Sequence, residues 1–319
     1  MFHGNFPAAK RPDNRAVRRR GTRNPVAVGA AFCAAVLLGG CAMPPAAAGP
    51  VSPTITTSPT VAPSTAAPAP STTAPSPSPT KTTPPDPLAN LTASLRKQYR
   101  ACLSKVIQPG SSGTCTKFAQ AQLKEAGFYP WKISNFMQVR GVNAVLNYQR
   151  SRGLDDDGWL GKATWLALAA KTPAMPEVLP KQCLTKGVVL CVDKSHRKLS
   201  WLRDGKVVRT FKIRVAGYNQ DVKTKKWRNF HTADGTWKVY DKQVDPYSEN
   251  YGGGAMPYST IFYPDMYVHY SAPFKREGYA GSSHGCVNIG EKKDAQWIMK
   301  NTPIGAKVYI FTLKAPGTK

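Results

Sequence analysis

The run Ser283-His284-Gly285-Cys286-Val287-Asn288, with His269 seventeen residues before the cysteine, holds the side chains best suited to covalent chemistry. A thiol attacks as its thiolate, and a neighbouring imidazole can take the proton and stabilise the anion. Gly285 lets the backbone bend where a side chain would clash. A bent run of that kind can aim the N–H groups of His284, Gly285 and Cys286 at an oxyanion, usually the largest single contribution to acyl-transfer catalysis. The residues therefore predict a cysteine acyl-transfer centre, with Cys286 as nucleophile and His269 as general base and acid. His284 and Gly285 are counted with the catalytic residues through their amides, although the His284 side chain could equally brace the turn. Ser283 and Asn288 are placed to meet a substrate; Asn288 could instead hold the loop. The bland alternative is a cysteine serving as a small buried hydrophobe. A zinc site built from His269, His284 and Cys286 lacks any His-Glu-x-x-His run in support. A papain-like protease would carry its cysteine early, on a helix. No metal and no cofactor is expected.

The chain has seven cysteines. Cys33 lies in an apolar leader and Cys41 at its end. In an oxidising compartment close pairs tend to join, so Cys102 with Cys115 and Cys183 with Cys191 are the simplest disulfides. Cys286 is then the odd thiol, and an odd thiol in an exported chain is a candidate for reactivity.

Export is expected from the first 40 residues. Seven Lys and Arg stand against Asp13 there, before an apolar run at 26–38. That run is short of the roughly 20 residues a membrane span needs and fits the apolar part of an export signal. Leu38-Gly39-Gly40-Cys41 resembles a bacterial lipobox, which implies lipidation of Cys41 and a membrane anchor outside the cytoplasm. An ordinary secretory signal or an uncleaved anchor is the alternative. Residues 41–88 are Pro, Thr, Ser and Ala with almost no charge and no aromatics. Such a segment buries too little apolar surface to offset its chain entropy, which predicts a disordered linker. Fully extended it would reach roughly 140 Å. The formal charge is +26, and +20 once residues 1–40 are set aside. Outside the cell that excess favours anionic wall polymers or lipid headgroups over nucleic acid.

Apolar residues at helical spacing predict helices near 116–126 and 139–152. Thr164 could open a last short one. Asp155-Asp156-Asp157 reads as a solvated turn, because the other ligands of a calcium loop are missing. Gly153, Leu154, Asp157, Gly158, Gly161, Thr164, Trp165, Ala167 and Leu168 carry a pattern that resembles the small three-helix peptidoglycan-binding domain, here at 98–172. Its first half departs from the family at Ile133-Ser134-Asn135-Phe136. Trp159 and Trp165 could simply be core.

From 183 to 314 the apolar period becomes two. Val188, Leu190 and Val192 alternate, and Asp204-Gly205 reads as a hairpin turn. Short strands at 207–213, 235–240, 260–262, 266–270 and 307–313, with a helix near 292–300, predict a mostly-β sandwich or barrel. His196 and His231 read as surface residues. The overall expectation is an α+β multidomain chain.

The region 187–313 resembles the L,D-transpeptidase (YkuD-like) catalytic domain. The likeness rests on Asp204-Gly205-Lys206, Thr232 with Asp234-Gly235-Thr236-Trp237, Met256-Pro257-Tyr258, His269, Ser283 to Asn288, Asp294-Ala295-Gln296-Trp297 and Pro303-Ile304-Gly305. Ala233 stands where the family has proline, and Tyr270 where serine or glycine is common. The resemblance implies a peptidoglycan stem tetrapeptide as donor, with attack by Cys286 on the carbonyl before the terminal D-alanine. An amine acceptor would give a 3→3 cross-link and water a carboxypeptidase. A wall-binding lipoprotein with an inactive catalytic domain is the third reading. Tyr258 is a further candidate for substrate contact. A monomer is expected.

Overall fold

The computed structural model describes residues 86–318. The signal segment 1–40, the Cys41 lipid site and nearly all of the linker 41–88 lie outside the described residues. No helix among the described residues is long and apolar enough to cross a membrane.

Four helices lead the chain: α1 (Ala93–Cys102), α2 (Thr114–Glu125), α3 (Val139–Ser151) and α4 (Lys162–Ala169). This corrects the expectation of three, and two further helices in the sheet region bring the described residues to six. The helix at the front, α1, was missed although Leu95, Tyr99 and Cys102 stand at helical spacing and pack on the core. Thr92 caps it by accepting from the Leu95 N–H. A disulfide from Cys102 to Cys115 then ties its end to the start of α2. Tyr99, Phe118 and Trp165 form the aromatic centre of the helical core, with Tyr99 edge-on to both others. Trp165 is fully buried whereas Trp159 is exposed. Gly161, not Thr164, precedes α4; Thr164 lies inside it and accepts from Gln149 Nε2.

The second half is one curled sheet. Strands β1 (Val188–Asp193), β2 (Lys198–Arg203), β3 (Lys206–Arg214), β6 (Gly235–Lys238), β7 (Asp241–Gln243), β8 (Ser259–Tyr263), β9 (Met266–Tyr270), β10 (Val287–Ile289) and β11 (Lys307–Phe311) take the order β6-β11-β1-β2-β3-β10-β9-β8-β7. Between β3 and β6 in the chain, β4 (Tyr218–Gln220) and β5 (Trp227–Asn229) form a separate hairpin. The sheet's two ends, β6 and β7, are consecutive in sequence, so it must curl until its ends approach. Trp237 of β6 meets Tyr263 of β8 with ring centroids 4.8 Å apart. The architecture is thus a single curled sheet rather than two stacked sheets. Asp204 and Gly205 both adopt positive φ at the β2–β3 turn, as a two-residue hairpin loop requires. Leu190, Val192, Leu199, Trp201, Ile213, Val268, Val287 and Ile310 fill the concave core with Ile298 of α6 (Lys292–Asn301). A short α5 (Ala272–Glu277) follows β9. Cys183 and Cys191 form the second disulfide.

The helical region packs on the sheet region through buried polar groups. Asn143 of α3 accepts from the Tyr218 N–H and donates to the carbonyls of Tyr218 and Ala280. A Cβ at Gly217 would lie 2.7 Å from Asn143 Oδ1, so only glycine allows this approach. Arg150 Nη1 donates to the Ala216 carbonyl at 2.8 Å, and its Nε meets the Asp156 carboxylate at 2.6 Å. Asp156 is therefore not the solvated turn residue the sequence suggests. Nor is His196 a free surface residue: its ring is held between the Asp193 carboxylate and the Met175 carbonyl. His231 is exposed.

Candidate active site

Parallel strands β9 and β10 pair His269 with Asn288 and Val268 with Val287. Alternation then sends Val268 and Val287 to the core, while Tyr267, His269 and Asn288 share the opposite face with Cys286. Cys286 stands two residues before Asn288 on that face, diagonal to His269.

The turn before β10 is pinned on several sides. Gly285 has φ +140°, a backbone conformation L side chains rarely adopt. Ser283 donates its N–H to the Val215 carbonyl at 3.2 Å. Its hydroxyl donates to the Cys286 carbonyl at 2.5 Å and accepts from the Gly285 N–H at 3.2 Å. Thr232 Oγ1 donates to the Gly285 carbonyl at 2.8 Å and accepts from the Ala216 N–H at 3.1 Å. The Ser283 hydroxyl hydrogen is used inside the loop and shapes the turn, while the residue also lines the cavity at Cys286, where substrate contact was expected of it. One correction follows. The Gly285 amide is turned to Ser283 and drops out as an oxyanion donor, which leaves the amides of His284 and Cys286 from the expected three.

The Cys286 thiol is free, partly exposed, and directed at the Asp265 carbonyl at 3.8 Å. Burial pushes it up to about 11; the Tyr267 N–H acts the other way, and the Asp265 carboxylate adds to the rise. His269 Nδ1 lies 2.7 Å from the Tyr270 carbonyl, so it carries the hydrogen and Nε2 is the basic nitrogen. Burial lowers His269 to about 4, the Tyr270 carbonyl opposing and the Arg214 charge assisting. Asn288 Nδ2 donates to Nε2 at 3.0 Å, and Asn288 Oδ1 accepts from Arg214 Nε and Nη2, both at 3.2 Å. At neutral pH the resting site thus holds a neutral thiol and a neutral imidazole. No hydrogen bond joins them; each has another partner.

A cavity of about 530 Å³ is lined by His269, Asn288, Arg214, Ser283, His284 and Cys286. A second, about 360 Å³, lies against Asp221, Arg228, Asp265 and Tyr267. Cys286, His284, Tyr251 and Met256 line both. The His284 ring is fixed by the Gln220 carbonyl at 2.8 Å and by Phe230 edge-on at 4.6 Å, so its side chain is a wall and a brace. Tyr258 lines neither cavity. Its backbone has φ +58°, and its ring packs against the sheet core beneath Lys292. This corrects its expected contact with substrate. Tyr251, in a loop without regular period, takes the position at the cavity. Arg214 was also missed; a charged residue closing an otherwise apolar strand end, after Phe211 and Ile213, was the signal available. Among the described residues, no group of three or more His, Cys, Asp or Glu side chains is close enough to hold a metal ion.

Residues 187–310 match the family model of the L,D-transpeptidase catalytic domain, YkuD, and residues 112–168 match that of a peptidoglycan binding domain. A search of curated proteins gives no match. Among solved structures the chain is similar to an L,D-transpeptidase from Xylanimonas cellulosilytica, at 24% identity and TM-score 0.34, over 64% of this chain and 97% of that one. It is similar to one from Stackebrandtia nassauensis at 24% identity and TM-score 0.35, over 66% and 97%. Over 65% of this chain and 100% of that one, it is similar to a fused Zn-dependent amidase/peptidase/peptidoglycan-binding protein from Clostridium acetobutylicum, at 18% identity and TM-score 0.28. By the family matches, this chain carries an L,D-transpeptidase-type catalytic domain behind a peptidoglycan-binding-type domain.

Proposed function

We propose that the protein is an exported cysteine L,D-transpeptidase that acts on peptidoglycan stem tetrapeptides. The observation that carries this reading is a free thiol at the junction of two cavities, one of which it shares with the His269 imidazole. The thiol leaves the Asp265 carbonyl, displaces Asn288 Nδ2 from His269 Nε2, gives that nitrogen its proton, and attacks the carbonyl before the terminal D-alanine. The tetrahedral oxyanion is received by the amides of His284 and Cys286. Collapse forms the thioester and breaks the C–N bond, and the departing amine takes the proton from His269. An acceptor amine entering from the other side of Cys286 then attacks the thioester. His269 removes its proton and returns it to sulfur. A second cavity at the sulfur favours an amine acceptor over water. The N-terminal segment reads as a lipoprotein signal, with Cys41 as the anchor holding the enzyme at the outer face of the membrane.

The test is incubation of the purified protein with a defined disaccharide-tetrapeptide, with products resolved by mass. A cross-linked dimer with release of D-alanine is expected. Tripeptide alone would support the carboxypeptidase reading, and binding without product the inactive wall-binding reading. Labelling with a fatty-acid probe, lost in Cys41→Ala, tests the anchor.

A further inference from the structure

A groove of about 560 Å³ runs between the start of α3 and the β4–β5 hairpin. Gln138 and Arg140 line it from the helical region, and Trp227, Asn219, Glu277 and Gly281 from the catalytic region. Asn219, Glu277 and Gly281 line the catalytic cavity as well, so the two spaces are continuous.

Two features of its lining are not explained by folding. Trp227 is 47% exposed, although Tyr218 stacks on it with planes at 21°. A single exposed ring is ordinary by itself; this one matters because Tyr218 holds it at the wall of a groove, where its free face is presented to a ligand. Arg140 has a buried Nε with no hydrogen-bond partner, and its guanidinium makes no ion pair among the described residues. A buried donor without a partner is rare in a folded chain and calls for one that the described residues do not supply. A flat aromatic ring flanked by a guanidinium, a carboxylate and two side-chain amides suits a saccharide. The ring takes the apolar face of the sugar, and the planar polar groups take its hydroxyls and acetamido groups.

Resting on the donor assigned above, we propose that this groove binds the disaccharide carried by the donor stem. Three stem residues separate the attacked carbonyl from the sugar, roughly 10 Å of extended chain. The sugar is thus carried away from Cys286, and the groove adjoins the cavity along the shared residues Asn219, Glu277 and Gly281. The helical region then completes the substrate site of the catalytic region.

The experiment compares Trp227→Ala and Arg140→Gln with wild type on two substrates, the disaccharide-tetrapeptide and the same tetrapeptide without its sugar. Each variant is expected to lose about tenfold in kcat/KM on the first, equivalent to one stacked or charged contact, and less than about twofold on the second. Equal losses on both, or none on either, would overturn the proposal. Titration of the disaccharide-tetrapeptide into the Cys286→Ala protein, followed by tryptophan fluorescence, separates the two claims. If wild type turns over neither substrate, the transpeptidase reading falls. Binding that Arg140→Gln weakens would still uphold the groove, and binding indifferent to it would overturn it.

Discussion

The helical region and the sheet region each bury an arginine and treat it differently. Arg150 on α3 is 4% exposed and meets a carboxylate, Asp156, at 2.6 Å. Arg214 at the end of β3 is 5% exposed and hydrogen-bonds only neutral oxygens, those of Asn288, Gly278 and Ser271. A buried charge with its counter-ion is a structural clamp. One whose nearest carboxylate, here Glu277, acts on it without a direct ion pair is costly unless it serves a site. Arg150 holds the helical region against Ala216, which itself bridges to Ser283. Arg214 orients Asn288, and Asn288 orients the base. One arginine should therefore govern stability and the other activity.

The partition can be broken most severely at the sulfur. Cys286→Ala should abolish product formation, a fall of about 10⁴–10⁶ by analogy with other nucleophile deletions, with an unchanged urea midpoint because no disulfide is lost. Arg150→Met should act in the opposite sense, costing roughly 1–3 kcal/mol of stability, because the partly buried Asp156 loses its 2.6 Å partner and keeps only Lys314, at 3.8 Å, as an ion-pair partner. The double variant Arg150→Met/Asp156→Leu should recover most of that loss; urea unfolding measures both. Burial raises the Asp156 carboxyl, but the Arg150 charge and hydrogen bond, with the charges of Lys194 and Lys314, together outweigh it and hold the group below its ordinary value of 3.8. The stability that this pair contributes is thus present above that value and lost as pH falls through the lower folded one. Asn288→Ala should lower kcat about 10²-fold through misplacement of the imidazole, with KM nearly constant. An equal loss in Arg150→Met at temperatures where it remains folded would erase the distinction between the two regions.

Alkylation gives the smallest and most diagnostic effect. With the thiol near 11, the rate of Cys286 modification by iodoacetamide should climb about tenfold per pH unit from 6 to 10. A plateau at neutral pH would reveal a preformed thiolate–imidazolium pair instead.

Much of the candidate site was legible because it lies in one short run. Cys286 was left over by cysteine pairing, and period-two strands put His269 and Val268 on opposite faces. The disulfides were legible from proximity in sequence. What escaped depends on tertiary approach or backbone sign. Arg214 and Tyr251 reach the cavity from distant segments. A positive φ at Tyr258 turns its ring to the core, and the hydroxyl of Ser283 folds back on its own turn. His196 looked exposed because neither Asp193 nor Met175 announces an acceptor. The α1 helix was legible as well, in the spacing of Leu95, Tyr99 and Cys102, and was passed over.

The decisive measurement is the intact mass of the protein mixed with the disaccharide-tetrapeptide donor in the absence of acceptor, followed by peptide mapping. An adduct equal to the donor minus D-alanine, carried on the peptide containing Cys286 and absent from Cys286→Ala, is the predicted result. Loss of D-alanine from the donor at an undiminished rate in Cys286→Ala would contradict the account.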